Sequence, residues 1–279
     1  MTEKRILDIV VLSDVHLGTY GCHAKELLQY LKTIKPQKLI LNGDIFDIWN
    51  YSKSYFPDTH LKVIQYILKM ASKGTEVIYL TGNHDDKLRN FTPLYLGNIQ
   101  VLDSYHFLIG DKLAWVFHGD VFDNTTKGMA KALAIAGGKG YDLLILLNRL
   151  VNWCLERLGR PKASFSKQIK NSVKKAVKFI NHFEEKICEV AIQEGNSYVI
   201  CGHIHKQEIK KVTINDSSVV YINSGDWVEN LTAIEFVGEE FWIYQHSSDK
   251  VRYEELLHEI ESELDGPYAE LEQKIRKSL

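Results

Sequence analysis

The chain has 279 residues, 45% hydrophobic and 25% charged, with a formal net charge of −2 at pH 7. That suits one large domain with an elaboration, or two small ones, and is ample for a buried core. The opening Met1–Leu12 is too short and ends too acidic for a signal peptide or a spanning helix, and the cysteines (Cys22, Cys154, Cys188, Cys201) form no CxxC pair. A zinc cage and a disulfide frame are thereby excluded, and reduced thiols in a cytoplasmic protein are expected.

From Arg5 to about Val121 short apolar runs alternate with amphipathic stretches. Ile6–Leu12 reads as a strand, followed by a helix over His23–Ile34 in which Leu27, Leu28 and Leu31 share a face. A strand over Lys38–Leu41 precedes a second helix over Thr59–Ser72, and Glu76–Leu80 is a third strand. Ile99–Leu102 and Leu113–Phe117 are a shorter pair, with a hairpin expected at Leu108–Leu113 around the Gly110-Asp111 turn. Strands alternating with helices of this length indicate βαβ units and a mostly parallel sheet.

The pattern changes after Val121. Helical periodicity alone runs from about Thr125 to Ala191, and strands return at Tyr198–Cys201, Glu208–Ile214, Val219–Ile222, Leu231–Phe236 and Phe241–Tyr244. Turn signals at Asn215-Asp216 and Gly238–Glu240 predict that these last strands run antiparallel. The fold class expected is α/β (α+β): two mixed β-sheets flanked by helices. Its catalytic domain comprises 1–121 and 192–247, with a helical insert or lid at 122–191 and a charged helical tail at 248–279. Between Lys127 and Lys186, 13 lysines or arginines stand against 4 acids, so a basic insert sits on an acidic body. Such an insert is suited to an anionic partner, the alternative being a solvated helical face.

Five apolar strands end in hard or borderline metal ligands. Ile9–Leu12 leads to SDVH (Asp14, His16), Lys38–Asn42 to GDIFD (Asp44, Asp47), and Val77–Leu80 to GNHD (Asn83, His84, Asp85). Leu113–Phe117 leads to HGD (His118, Asp120) and Tyr198–Cys201 to GHIH (His203, His205). Taken singly, Asp47 reads equally well as a helix cap, and Asp120 and Asn83 as turn formers. Carboxylate, amide and imidazole without thiolate suit Mn, Fe, Zn or Co in five- or six-coordinate sites. Seven ligands are too many for one such ion and about right for two, provided that one carboxylate bridges them. Two ions roughly 3.5–4 Å apart can clamp a phosphoryl group.

The ordered series DVH, GDIFD, GNHD, HGD, GHIH resembles the calcineurin-like metallophosphoesterase superfamily over Asp14 to His205. The resemblance implies a four-layer sandwich and hydrolysis of a phosphodiester or pyrophosphate by a hydroxide bridging two divalent ions, Mn2+ first, with Fe, Zn or Co as alternatives. It implies that Asp14, His16 and His205 hold one ion and Asn83, His118 and His203 the other, with Asp44 shared. His84 would stabilise the phosphoryl group or protonate the leaving oxygen, and Asp85 would orient it.

Within the superfamily, GDIFDIW, the basic insert after HGD and the helix SFSKQIKNSVKKAV resemble the UDP-2,3-diacylglucosamine pyrophosphohydrolases of lipid A synthesis. By that resemblance Asn124, Lys167, Lys170, Asn171 and Lys174 would bind a small-molecule or lipid-linked nucleotide; the apolar face of Asp142–Gly159 suits an acyl lid or a membrane surface, and equally well plain packing on the core. Cytoplasmic location follows, with peripheral contact at the inner membrane face through the insert. One departure stands out: this chain has GNHD where that family has GNRD. A phosphodiesterase or nuclease, a phosphomonoesterase and a non-catalytic scaffold are the competing readings. Nucleic acid is disfavoured because few aromatics interleave with the insert's lysines, and a scaffold because all seven ligand positions are competent.

Overall fold

The computed structural model describes residues 4–48, 55–122 and 165–246, with side chains described from Phe179 onward in the last of these segments. Residues 1–244 make one compact unit and 245–279 a second, which lies outside the described residues but for its first two.

Strand β1 (Arg5–Leu12) feeds helix α1 (Ala24–Thr33), which passes without a loop into β2 (Ile34–Asn42). Helix α2 (Asp58–Ser72) returns the chain to β3 (Glu76–Leu80). The edge pair β4 (Leu94–Leu96) and β5 (Ile99–Leu102) follows, then the hairpin β6 (Ser104–Ile109) and β7 (Lys112–Phe117). After the undescribed stretch, helix α3 (Phe165–Gln193) leads to β8 (Tyr198–Cys201), β9 (Glu208–Ile214), β10 (Ser217–Asn223), β11 (Thr232–Val237) and β12 (Glu240–Gln245). One sheet has the order β12-β11-β1-β2-β3-β5-β4 and the other β6-β7-β8-β10-β9.

Strand sequences explain the layering. β1 is apolar on successive residues because both of its faces are covered. Ile9 and Val11 point between the sheets, against Ile40, Ile78, Val116, Ile200 and Ile222, whereas Val10 and Leu12 join Leu27, Leu31 and Val63 under α1 and α2. On the far side, Phe183, Ile187 and Ala191 of α3 cover Phe117, Val199 and Tyr221 of the second sheet. The result is helix, sheet, sheet, helix, as expected.

Three details differ from the sequence reading. β2 begins at Ile34, not Lys38, and α1 stops at Thr33. The cause is Pro36, whose ring pushes Lys35 out of helical space. β4 and β6 are edge strands absent from that reading except for the hairpin turn at Leu108–Leu113: β4 is only three residues long and exposed throughout, and β6 alternates exposed and partly buried side chains. Last, the C-terminal strands are not one antiparallel run. β9 and β10 form an antiparallel hairpin, but β10 lies parallel to β8, and β11 crosses to the other sheet to pair antiparallel with β1. The expected lid helix Asp142–Gly159 and Asn124 lie outside the described residues. No described helix is long and apolar enough to cross a membrane.

Candidate metal centre

All five motifs meet where β1, β2, β3, β7 and β8 end. Backbone bonds zip the first two loops together: Asp14 N to Gly43 O (3.1 Å), His16 N to Asp44 O (2.9 Å) and Asp47 N to Leu17 O (3.0 Å). Carboxylates pin the others, as His84 N donates to Asp44 Oδ1 (2.7 Å) and His203 N to Asp14 Oδ2 (3.0 Å). The approach is close enough to require glycine. A Cβ on Gly43, whose φ is +78°, would stand 2.4 Å from the His118 ring, and one on Gly82 would stand 2.2 Å from Asp44 Oδ1.

Asp14, His16, Asp44, His203 and His205 all carry φ between 52° and 68°. A left-handed backbone costs a non-glycine residue about 1–2 kcal/mol, and such strain gathers at functional sites. Here it turns side chains inward that a continuing strand would splay to alternate faces.

The side chains form three overlapping groups whose ligand atoms lie within 4.8 Å of one another: Asp14, His16 and His205; His16, Asp44 and His84; Asp44, His118 and His203. Asp14 and Asp44 are buried, as is His118. The His118 Nδ1 proton is directed at Asn42 O (2.9 Å), and Nε2 lies 3.2 Å from Asp44 Oδ2. His205 Nε2 likewise sits 3.1 Å from Asp14 Oδ1. Asp14 Oδ1, His16 Nε2, Asn83 Oδ1 and His118 Nε2 are buried without a hydrogen-bond partner. Such atoms are costly unless something satisfies them. A divalent cation accepts electron pairs from carboxylate, amide oxygen and imidazole alike, so the residues fit one.

Electrostatics point the same way. Burial alone would raise the pKa of Asp14, but His205 and His118 outweigh it and the net shift is downward; Asp44 is lowered likewise, chiefly by His118. Burial would lower His118 and His205, yet the carboxylates drive both upward, His205 to about 9. The pocket is built to hold positive charge.

The structure brings together Asp14, His16, Asp44, His84, His118, His203 and His205, and buries Asn83 Oδ1 in the adjoining GNHD loop. It corrects the role of Asp85. That carboxylate turns away into the loop, accepting from Tyr79 Oη, Ile45 N (3.0 Å) and Gly82 N (2.6 Å). The carboxylate beside the His84 ring is Asp47, whose Oδ2 lies 3.1 Å from His84 Nδ1 and 3.4 Å from His16 Nδ1. Burial would lower the His84 pKa, but the hydrogen bond it donates to Asp47 and the charge of Asp44 raise it overall. Asp120 is more than a turn residue, since it receives Arg89 Nη2 on both oxygens (2.9 and 2.8 Å). Lys167, Lys170, Asn171 and Lys174 lie on the first part of α3, where side chains are outside the description.

Sequence reasoning missed a sixth strand ending. Gly225-Asp226 follows β10 as Gly43-Asp44 follows β2, and Asp226 is fully buried beside the GHIH loop. Its signal was the same GD after an apolar run. Beside His118, a cleft of about 350 Å³ is lined by Arg89, Asp103, Trp115, Phe117 and Asp120, which leaves room for more than a phosphate.

A family model described as calcineurin-like phosphoesterase matches residues 7–207. Among curated proteins, the UDP-2,3-diacylglucosamine hydrolase of Chromohalobacter salexigens is 23% identical over 221 residues, covering 78% of this chain and 88% of that protein. The enzyme of the same name from Aliivibrio fischeri is 23% identical over 242 residues, covering 82% and 95%. Among solved structures, the phosphoesterase Yfce from E. coli matches with a TM-score of 0.43 at 12% identity, over 84% of this chain and 90% of its own.

Proposed function

Since the chain belongs to the calcineurin-like phosphoesterase family and is a metal-dependent phosphoester hydrolase, we propose that it uses two divalent ions to cleave a pyrophosphate in a lipid-linked nucleotide sugar. Asp14, His16 and His205 hold one ion, Asn83, His118 and His203 the other, and Asp44 is shared. The carrying observation is the convergence of buried donor atoms without hydrogen-bond partners on one point, from residues as far apart as Asp14 and His118. When bound, the ions supply Lewis acidity that neutralises phosphoryl charge and makes water acidic near neutral pH.

The chain's own residues do the rest. Asp14 and Asp44 are fixed by backbone N–H groups, so they need no reorganisation to bind. His84 faces the same space with its Nδ1 against Asp47, which leaves Nε2 to deliver a proton to the leaving oxygen. The cleft beside His118 receives the part of the substrate beyond the phosphate. Support for a UDP-2,3-diacylglucosamine-like substrate comes from the relatives' names and from the basic residues between Lys127 and Lys186. Peripheral contact with a lipid surface belongs to this reading, and manganese is the first ion to try.

The second reading is a general phosphodiesterase or phosphomonoesterase, and His84 in the GNHD motif favours it. Turnover of UDP-2,3-diacylglucosamine, bis-nitrophenyl phosphate and nitrophenyl phosphate by the Mn2+-loaded protein decides between them. The lipid-linked pyrophosphate should be the best substrate by kcat/KM. A preference for either nitrophenyl ester would reject the lipid reading and leave the metal chemistry standing. Asp44→Asn should lose both bound ions and activity on all three; two retained ions with unchanged turnover would reject the shared-carboxylate assignment.

A further inference from the structure

We infer that Asp226 is a positioning residue for His205, setting both the backbone and the ring of this ligand; the inference rests on the reading that Asp14, His16 and His205 hold an ion. Asp226 opens the turn after β10 and is fully buried. Its Oδ1 accepts three backbone N–H groups, from Val228 (2.8 Å), Glu229 and Asn230 (3.1 Å). Three donors on one oxygen lock the carboxylate's rotation and stabilise its charge. The other oxygen is thereby aimed at the GHIH loop.

Two routes lead from Oδ2 to His205. In the first, Asn230 Nδ2 donates to Asp226 Oδ2 (2.5 Å) and to His205 O (2.8 Å), holding the His205 backbone at its φ of 53°. In the second, Oδ2 lies 4.0 Å from His205 Nδ1, an ion-pair separation, while Nε2 faces Asp14 Oδ1 at 3.1 Å. A carboxylate on the Nδ1 side favours the proton there and leaves the Nε2 electron pair for the ion. Outer partners of this kind change metal affinity by 10–100-fold.

The same turn grips the opposite ligand. Trp227 N donates to Asp14 O (3.0 Å), and Ser13 Oγ donates to Gly225 O (2.9 Å). Residues 224–230 thus set the spacing between the Asp14 and His205 loops, although the family match ends at residue 207.

The test is Mn2+ binding by equilibrium dialysis with elemental analysis, alongside thermal melts, for wild type, Asp226→Asn and Thr232→Val. Asparagine can keep the three backbone bonds on its oxygen but places an uncharged amino group toward His205. The expected result is a folded protein in which one of two ions binds about 10–100-fold more weakly and the other as in wild type. Two ions held as tightly as in wild type would overturn the inference. Thr232→Val removes the bond from Thr232 Oγ1 to Ser224 O (2.7 Å) in the same turn. It should lower the melting temperature and keep both affinities; an equal loss of metal would assign the effect to the turn and reject the carboxylate's role. Should Asp226→Asn not fold, long-range 15N correlation on the Zn2+-loaded wild type reads the His205 ring directly. A proton on Nδ1 and metal on Nε2 supports the inference, and the reverse overturns it. Wild type that binds no metal would reject the functional reading itself, and the inference with it.

Discussion

At the scale of single residues, Asp47 shows how one carboxylate can serve two tasks. It lies within reach of the proposed acid His84 and the proposed ligand His16, whose rings meet edge-on with centroids 4.7 Å apart. His84→Ala should keep two ions and lose roughly 10²–10⁴-fold in turnover, as expected for a general acid. The loss should shrink with nitrophenyl leaving groups, which need no proton; equal losses for alkyl and nitrophenyl esters would count against an acid role. Asp47→Asn should differ by lowering both turnover and metal affinity, because His16 is also released. Elemental analysis beside kinetics separates the two variants. The ligand identities were legible because a ligand type after an apolar strand is a local pattern. The roles of Asp47 and Asp85 were not, since two carboxylates flank the site in sequence and only the turn of each loop decides which one meets His84.

At the scale of elements, the strands and helices facing two cores were legible from apolar spacing, whereas β4 was not, because three exposed residues at a sheet edge carry no burial pattern, and β6 showed itself only through the turn that closes its hairpin. Helix α3 is the informative case. Helical periodicity alone does not show that its last two turns belong to the main core, yet Ile187 and Ala191 are fully buried against the second sheet. Ile187→Ala should therefore destabilise the protein by about 2–5 kcal/mol, measured by denaturant unfolding. A change below about 0.5 kcal/mol would mean that the helix does not pack as described. Gly82→Ala tests the opposite relation, in which a backbone makes room for a ligand. A methyl group there would overlap Asp44 Oδ1, so metal content should fall even where the fold persists. An alanine variant with two tightly bound ions would contradict the geometry.

For the whole molecule, the centre is a buried cluster of charge that an ion should stabilise. Linkage gives about 2.7 kcal/mol at a free concentration one hundred times the dissociation constant, and a protein of this size gains about 2–4 °C per kcal/mol. Chelation should therefore lower the melting temperature by roughly 5–10 °C, and added Mn2+ should restore it. A melt indifferent to chelator would argue that no ion is held.

The sheet order bears on how the protein is made. β1 carries the first ligand loop and lies between β2 and β11, and β8 carries the last and lies between β7 and β10. A nascent chain that has reached Gln207 displays every ligand motif but lacks β10 and β11, so the flanks of both loops are open and their spacing is unset. Such a chain would read as complete to a motif search and still be unable to close its centre. Closure of the centre then waits for β10 and β11 (Thr232–Val237) to emerge rather than for synthesis of the final motif histidine.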